Sequence, residues 1–158
     1  MTAPALVIGI GNADRGDDAV GLHVARRVAA LGLPAVAVEE AGGDVLGLMD
    51  RWAGVPRVVL VDAAAPLAAP GRIHRLDAAR GPLPREIALG STHAFGLADT
   101  VELARRLGRL PAQLVLYAIE AADFAPGAPL SPAVAAAVAS AAVQVAAEFG
   151  SDGRTSDA

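Results

Sequence analysis

The chain contains no cysteine, so disulfides, thiolate metal sites and cysteine nucleophiles are all excluded. It contains no lysine either: all 13 basic residues are arginine. A phosphate-binding loop would therefore lack the Lys that reaches the phosphates. Aromatic residues make up only 3% of the 158 positions against 54% hydrophobic, so the core must be built from Val, Leu and Ala. No stretch approaches the roughly 18 consecutive apolar residues of a membrane span, and the N-terminal MTAPALVIGIG enters a strand without a basic leader region. The net charge of -4 and the scattered arginines argue against a nucleic-acid footprint. Arg26-Arg27 and Arg105-Arg106 are expected on solvated helix faces. These features predict one soluble, cytoplasmic domain, by default a monomer, long enough to bury a full core.

The most informative stretch present is Leu6 to Gly21, LVIGIGNADRGDDAVG: an apolar strand, a glycine turn, and two adjacent carboxylates where a helix should begin. Gly9 and Gly11 imitate a dinucleotide fingerprint, but the third glycine position is Asp14. Gly11 to Gly16 imitates a phosphate loop, but the next residue is Asp17. Asp14, Asp17 and Asp18 would put three negative charges where a helix N-terminus should hold an anion. Nucleotide binding is thereby disfavoured. Two readings of Asp17-Asp18 remain: a cap on the run Val20, Val24, Val28, Leu31, which needs only one of them, or a cation ligand over the carboxyl end of a sheet. Taken alone, the stretch leans towards capping.

Down the chain, strands are expected at Ala35–Glu39, Val55–Asp62, Gly71–Leu76 and Gln113–Ile119, the fourth of the five as a half-exposed edge with His74 on its polar, surface side. A short helix follows Asp44 through Val45, Leu48, Met49 and Trp52. A third helix is expected from a Ser91-Thr92 cap, with Leu97, Val101, Ala104 and Leu107 on one face, and a long Ala-rich helix from Pro132 to about Phe149. Asp77–Thr92 is too rich in Gly and Pro to hold a period and reads as a long surface loop. Strands alternating with helices predict a single three-layer α/β/α domain over 1–149 with a mostly parallel sheet and no internal repeat. Residues 150–158 are expected to be disordered.

Ligands in open α/β sheets gather outside the carboxyl ends of the strands. Asp18 follows the first strand, Asp62 ends the third, and His93 opens a helix after the long loop. Two carboxylates and an imidazole suit a borderline divalent cation, and a helix N-terminus keeps the imidazole neutral. Each has a structural alternative: Asp62 satisfying loop N–H groups, His93 lying on the surface, and His23 as partly exposed packing. There is no G-x-S-x-G elbow and no H-E-x-x-H helix. Without a metal, a carboxylate acid-base pair of Asp18 and Asp62 is the remaining plan.

GIGNADRGDDAVG, VVLVDAA, STHAFGLADTVELA and LVLYAIE with the following APLSPAV together resemble the hydrogenase maturation proteases, in order and spacing, to about residue 148. The resemblance implies a twisted five-stranded sheet between helices. It also implies an endopeptidase that trims the C-terminus of a nickel-loaded [NiFe]-hydrogenase large-subunit precursor. Carried over, the catalytic and metal-recognising residues are Asp18, Asp62 and His93, with Asp17, Gly9, Gly11 and Asn12 in support. Nickel would be recognised in the substrate rather than held permanently, and Zn or Cd would occupy the site in vitro. The alternative function is a non-proteolytic metal-binding or chaperone-like partner of the large subunit. One departure is Ala41, where the family often has an acidic residue before the glycine pair; Glu40 and Asp44 flank it. Three compatible strand-end or helix-start ligands tip the acidic pair towards a site, with Asp17 assigned to capping and support and Asp18 to the metal. On this reading the glycines bring backbone close to a peptide or metal centre.

Overall fold

The computed structural model describes residues 4–84, 87 and 96–150. Five strands form one sheet: β1 Ala5–Ile10, β2 Val36–Ala41, β3 Arg57–Ala64, β4 Ile73–Asp77 and β5 Gln113–Glu120. Their spatial order is β2-β1-β3-β5-β4, and only β4 runs antiparallel. The expected mostly parallel sheet is therefore present, with β4 at an edge. Central strands covered on both faces need apolar residues at every position. This is why β1 is buried throughout and β3 and β5 are buried beyond their first residue.

The helices are α1 Val20–Ala30, α2 Leu48–Arg51, α3 Leu97–Arg106 and α4 Pro132–Gly150, preceded by a short 3-10 turn at Gly16–Ala19. One face of the sheet, with Val7, Val59, Val61 and Tyr117, packs against Val20, Val24 and Val28 of α1 and Val134, Ala141 and Val145 of α4. The other face, with Leu6, Ile8, Val58 and Leu60, packs against Leu48 of α2 and Leu97, Val101 and Ala104 of α3. Alternation along each strand splits the two cores. Helix α4 is long and apolar enough by length and composition to cross a membrane, but here its small residues form the core contact with α1 and the sheet.

Several boundaries differ from the sequence expectations. β2 starts one residue later and runs to Ala41, because Ala35 takes a left-handed turn conformation (φ 62) that cannot continue a strand. β3 continues two residues past Asp62. α2 is a single turn, because Asp44 Oδ1 instead accepts from the Gly47 N–H (3.2 Å) and holds a tight turn. α3 starts at Leu97 with Gly96 as its N-cap and the Asp99 carboxylate accepting from the Gly96 N–H (3.0 Å), rather than with Ser91-Thr92. Leu107 lies just past its end and is 56% exposed. Arg105 is only partly exposed: it donates to the carbonyls of Ala78 (2.7 Å) and Gly81 (3.0 Å), tying the segment after β4 to α3. Gly150 belongs to α4; residues 151–158, like Ser91 and Thr92, lie outside the described residues.

Candidate active site

The site begins where β1 ends. A side chain at Gly11 would put its Cβ 2.0 Å from the carbonyl oxygen of Asp18, so this glycine lets the acidic 3-10 turn fold back on the strand end. At Gly9 a Cβ would lie 2.3 Å from the Gly21 carbonyl and 2.6 Å from the Ala25 Cβ, so α1 can sit directly on β1. Both glycines thus serve the approach of backbone to backbone within the domain, and Gly11 also lines the cavity described below. Asn12 Oδ1 accepts from the Asp14 N–H (2.9 Å) and shapes the turn.

The two neighbouring aspartates diverge. Asp17 is fully buried and accepts four hydrogen bonds: from the N–H groups of Ala122 (2.8 Å), Asp123 (3.1 Å) and Ser131 (2.7 Å) and from Ser131 Oγ (2.8 Å). Burial pushes its pKa up, but these bonds outweigh burial and hold it below the ordinary value. The 3-10 turn has no side-chain cap, so the expected capping role is corrected: Asp17 ties the β5–α4 loop to the acidic turn. Asp18, 8% exposed, faces the cavity instead. Burial raises its pKa, opposed by the Asn12 backbone N–H and the charge of Arg15.

Asp62 lies inside β3, opposite Ala118 of β5, and is 2% exposed. The N–H of Ala63 donates to its Oδ1 (2.8 Å). Burial and the Asp18 charge push its pKa well above the ordinary value, with only that N–H opposing. Asp18 and Asp62 line one cavity of about 420 Å³ together with Asn12, Arg15, Arg26, Glu40 and Gly42-Gly43. Two buried carboxyl groups whose pKa values are both raised, Asp62 the more strongly, can exchange protons with a bound group or give way to a divalent cation. His93 lies outside the described residues, and among the described residues no three His, Cys, Asp or Glu side chains form a metal cluster.

Glu40 and Asp44 are now distinguished. Glu40 lines the cavity and is held by a forked pair with Arg26 (2.8 and 3.0 Å), whereas Asp44 shapes the turn into α2. Ala41 is buried and its carbonyl accepts from the Gly11 N–H (3.0 Å). His23 is exposed. His74 is not a surface residue: its side chain is 18% exposed and its Nε2 lies 2.6 Å from Oε2 of the buried Glu120. Glu120 also accepts from the Ala68 (2.9 Å) and Ala69 (3.0 Å) N–H groups, fixing the β3–β4 loop. A carboxylate closing an otherwise apolar strand, LVLYAIE, was the signal for it.

The hydrogenase maturation protease family profile matches residues 22–148. The chain belongs to the hydrogenase maturation protease family. It is accordingly an endopeptidase of hydrogenase maturation. Among solved structures it is similar to the hydrogenase maturating endopeptidase HybD from E. coli, with 26% identity, a TM-score of 0.76, and 94% of this chain and 93% of that one covered. It is also similar to the [NiFe] hydrogenase maturation protease HybD from Thermococcus kodakarensis, at 26% identity and TM-score 0.68 over 92% and 97% of the two chains. An endopeptidase from Escherichia coli matches at 28% identity and TM-score 0.73 over 89% and 88%. Comparison with curated protein sequences gives no match. In this protease family member the profile match contains Asp62 but starts after Asp18, so the acidic turn is placed by the structure and not by the profile.

Proposed function

We propose that the enzyme removes the C-terminal extension of a nickel-loaded [NiFe]-hydrogenase large-subunit precursor, and that Asp18, Asp62 and His93 ligate the nickel carried by that substrate. The observation supporting this most directly is the pair of buried carboxylates lining one cavity at the carboxyl ends of β1 and β3. Among the described residues the Ala63 N–H donates to Asp62, and burial with the Asp18 charge favours the protonated form of its carboxyl, so a divalent cation is a fitting replacement for a proton there. Alternation places Asp62 on the same sheet face as Val58 and Leu60, which packs against α3, and His93 precedes the N-cap of α3 by three positions. Nickel seated in the substrate would draw the three ligands together and mark the precursor as ready for cutting.

Incubating the enzyme with precursor, with and without nickel, and weighing the product by mass spectrometry tests this reading. Shortening is expected only with nickel, and should disappear in Asp18→Asn, Asp62→Asn and His93→Ala at unchanged circular dichroism. Equal shortening of metal-free precursor would overturn the nickel gate, and binding without shortening would favour a non-proteolytic partner.

A further inference from the structure

The sheet leaves one edge open beside the cavity. β2 is an outer strand and, among the described residues, pairs only with β1. The Gly11 N–H donates to the Ala41 carbonyl (3.0 Å), so Ala37, Glu39 and Ala41 turn their backbone groups towards β1, and Val36, Val38 and Glu40 turn theirs outward. One outward group is engaged: the Glu40 carbonyl accepts from Arg51 Nη1 (3.0 Å). Most of β2 is half-buried where all of β1 is buried. Two ion pairs, Arg26–Glu40 and Arg51–Glu39, flank the edge with side chains between 40% and 56% exposed. Such exposed pairs stabilise little, but charges on a bare edge keep it from pairing with other copies of the chain.

This edge leads into the site. Glu40, Ala41, Gly42 and Gly43 at its end line the cavity, and no residue of β4, the opposite edge, does so. Among the described residues nothing stands within 4 Å of the place a Gly42 side chain would occupy, which leaves room there for a chain to cross. We propose that the outer edge of β2 is the docking strand for the substrate polypeptide. The extended segment next to the scissile bond pairs with the backbone of Val36 and Val38, then turns over Gly42-Gly43 towards Asp18 and Asp62. This rests on the reading that the cavity is where the precursor is cut. The occupant follows from the chemistry: a peptidase receives main chain, and strand addition binds main chain through its N–H and C=O groups. The Arg51–Glu40 bond marks where the ladder ends.

Steady-state cleavage of nickel-loaded precursor by wild type, Val38→Pro and Val38→Thr tests the inference. Proline removes an outward N–H and places its ring on the free edge without taking a bond from β1; threonine keeps the N–H. Val38→Pro should raise KM about tenfold at unchanged kcat, and Val38→Thr should stay within about twofold of wild type. A folded Val38→Pro enzyme with wild-type KM overturns the proposal. If Val38→Pro fails to fold, hydrogen exchange decides: wild-type enzyme saturated with metal-free, uncut precursor should show slowed exchange at the Val36 and Val38 amides, and unchanged exchange there overturns it. A wild-type enzyme that protects these amides yet never shortens nickel-loaded precursor would overturn the proteolytic reading and leave the docking strand standing.

Discussion

Asp18 and Asp62 line the same cavity, and the charge on Asp18 adds to burial in pushing the pKa of Asp62 well above its ordinary value. One residue earlier, Asp17 is held ionised by four hydrogen bonds. Adjacent aspartates on one turn are thus driven in opposite directions by what each meets. The outcome is one carboxylate that holds the fold together and one that faces the cavity.

Asp62 is a cost to the fold. Its pKa is raised in the folded state, so the folded protein binds the proton more tightly than the unfolded chain, and stability is lost as pH rises above the ordinary value of 3.8 towards the folded pKa. Asp62→Asn should therefore stabilise the metal-free protein at neutral pH by about 1 kcal/mol, or roughly 3 °C in Tm, while abolishing precursor processing. Thermal melts of the two proteins in the same buffer check this; a destabilised variant would contradict it.

Cation binding at the pair should release protons. Because burial raises the pKa of both Asp18 and Asp62, a divalent ion that gains both carboxylates competes with protons for them. Calorimetric titration with cadmium in two buffers of different ionisation enthalpy should show proton release and an affinity that rises with pH. Asp18→Asn and Asp62→Asn should each remove most of the binding. Buffer-independent heats would show that protons are not displaced.

Asp17→Asn should loosen the β5–α4 loop. A buried carboxylate accepting bonds from Ala122, Asp123 and Ser131 contributes stability fully present above pH 3.8 and lost as its lowered pKa is approached from above. At neutral pH the variant should lose about 2 kcal/mol, or roughly 4–8 °C in Tm. Limited proteolysis should cut first between Ala122 and Ser131; cleavage elsewhere at the wild-type rate would show that the loop is held by other contacts.

Glu120 adds to the acid-dependent part of stability. The Ala69 N–H, against the opposing cost of burial, together with His74 and the Ala68 N–H, holds its pKa at about 2 instead of 4.5. Its contribution is complete above about pH 4.5 and disappears as pH falls towards 2. Glu120→Gln should be less stable at pH 7 and show a flatter pH dependence between these values in urea melts. Parallel curves for the two proteins would place the acid transition on other groups.

The sheet and helix order was legible in local patterns, and so were the edge position of β4 and the strand-end placing of Asp18. These depend on period, glycine and proline, which act within a few residues. The misread positions are those whose environment comes from elsewhere. His74 follows the alternation of a solvent-facing residue, but Glu120 lies 46 positions away in sequence and buries it. Leu107 follows the helical period of α3, but the helix stops at Arg106. Asp44 has the form of a helix cap, and a tight turn claims it first.

What the sequence by itself determined is the α/β order and the arrival of two carboxylates at strand ends, because hydrophobic period and turn residues act locally. The sequence already divided the two neighbours, giving Asp17 support and Asp18 the metal; tertiary structure alone supplied their surroundings. Asp17 is bound by Ser131, 114 positions away, and by the Ala122 and Asp123 N–H groups. Asp18 faces the cavity that Asp62 also lines. The same holds for the free edge of β2: strand order is a property of the folded sheet, and it leaves that strand with backbone groups to spare beside the cavity.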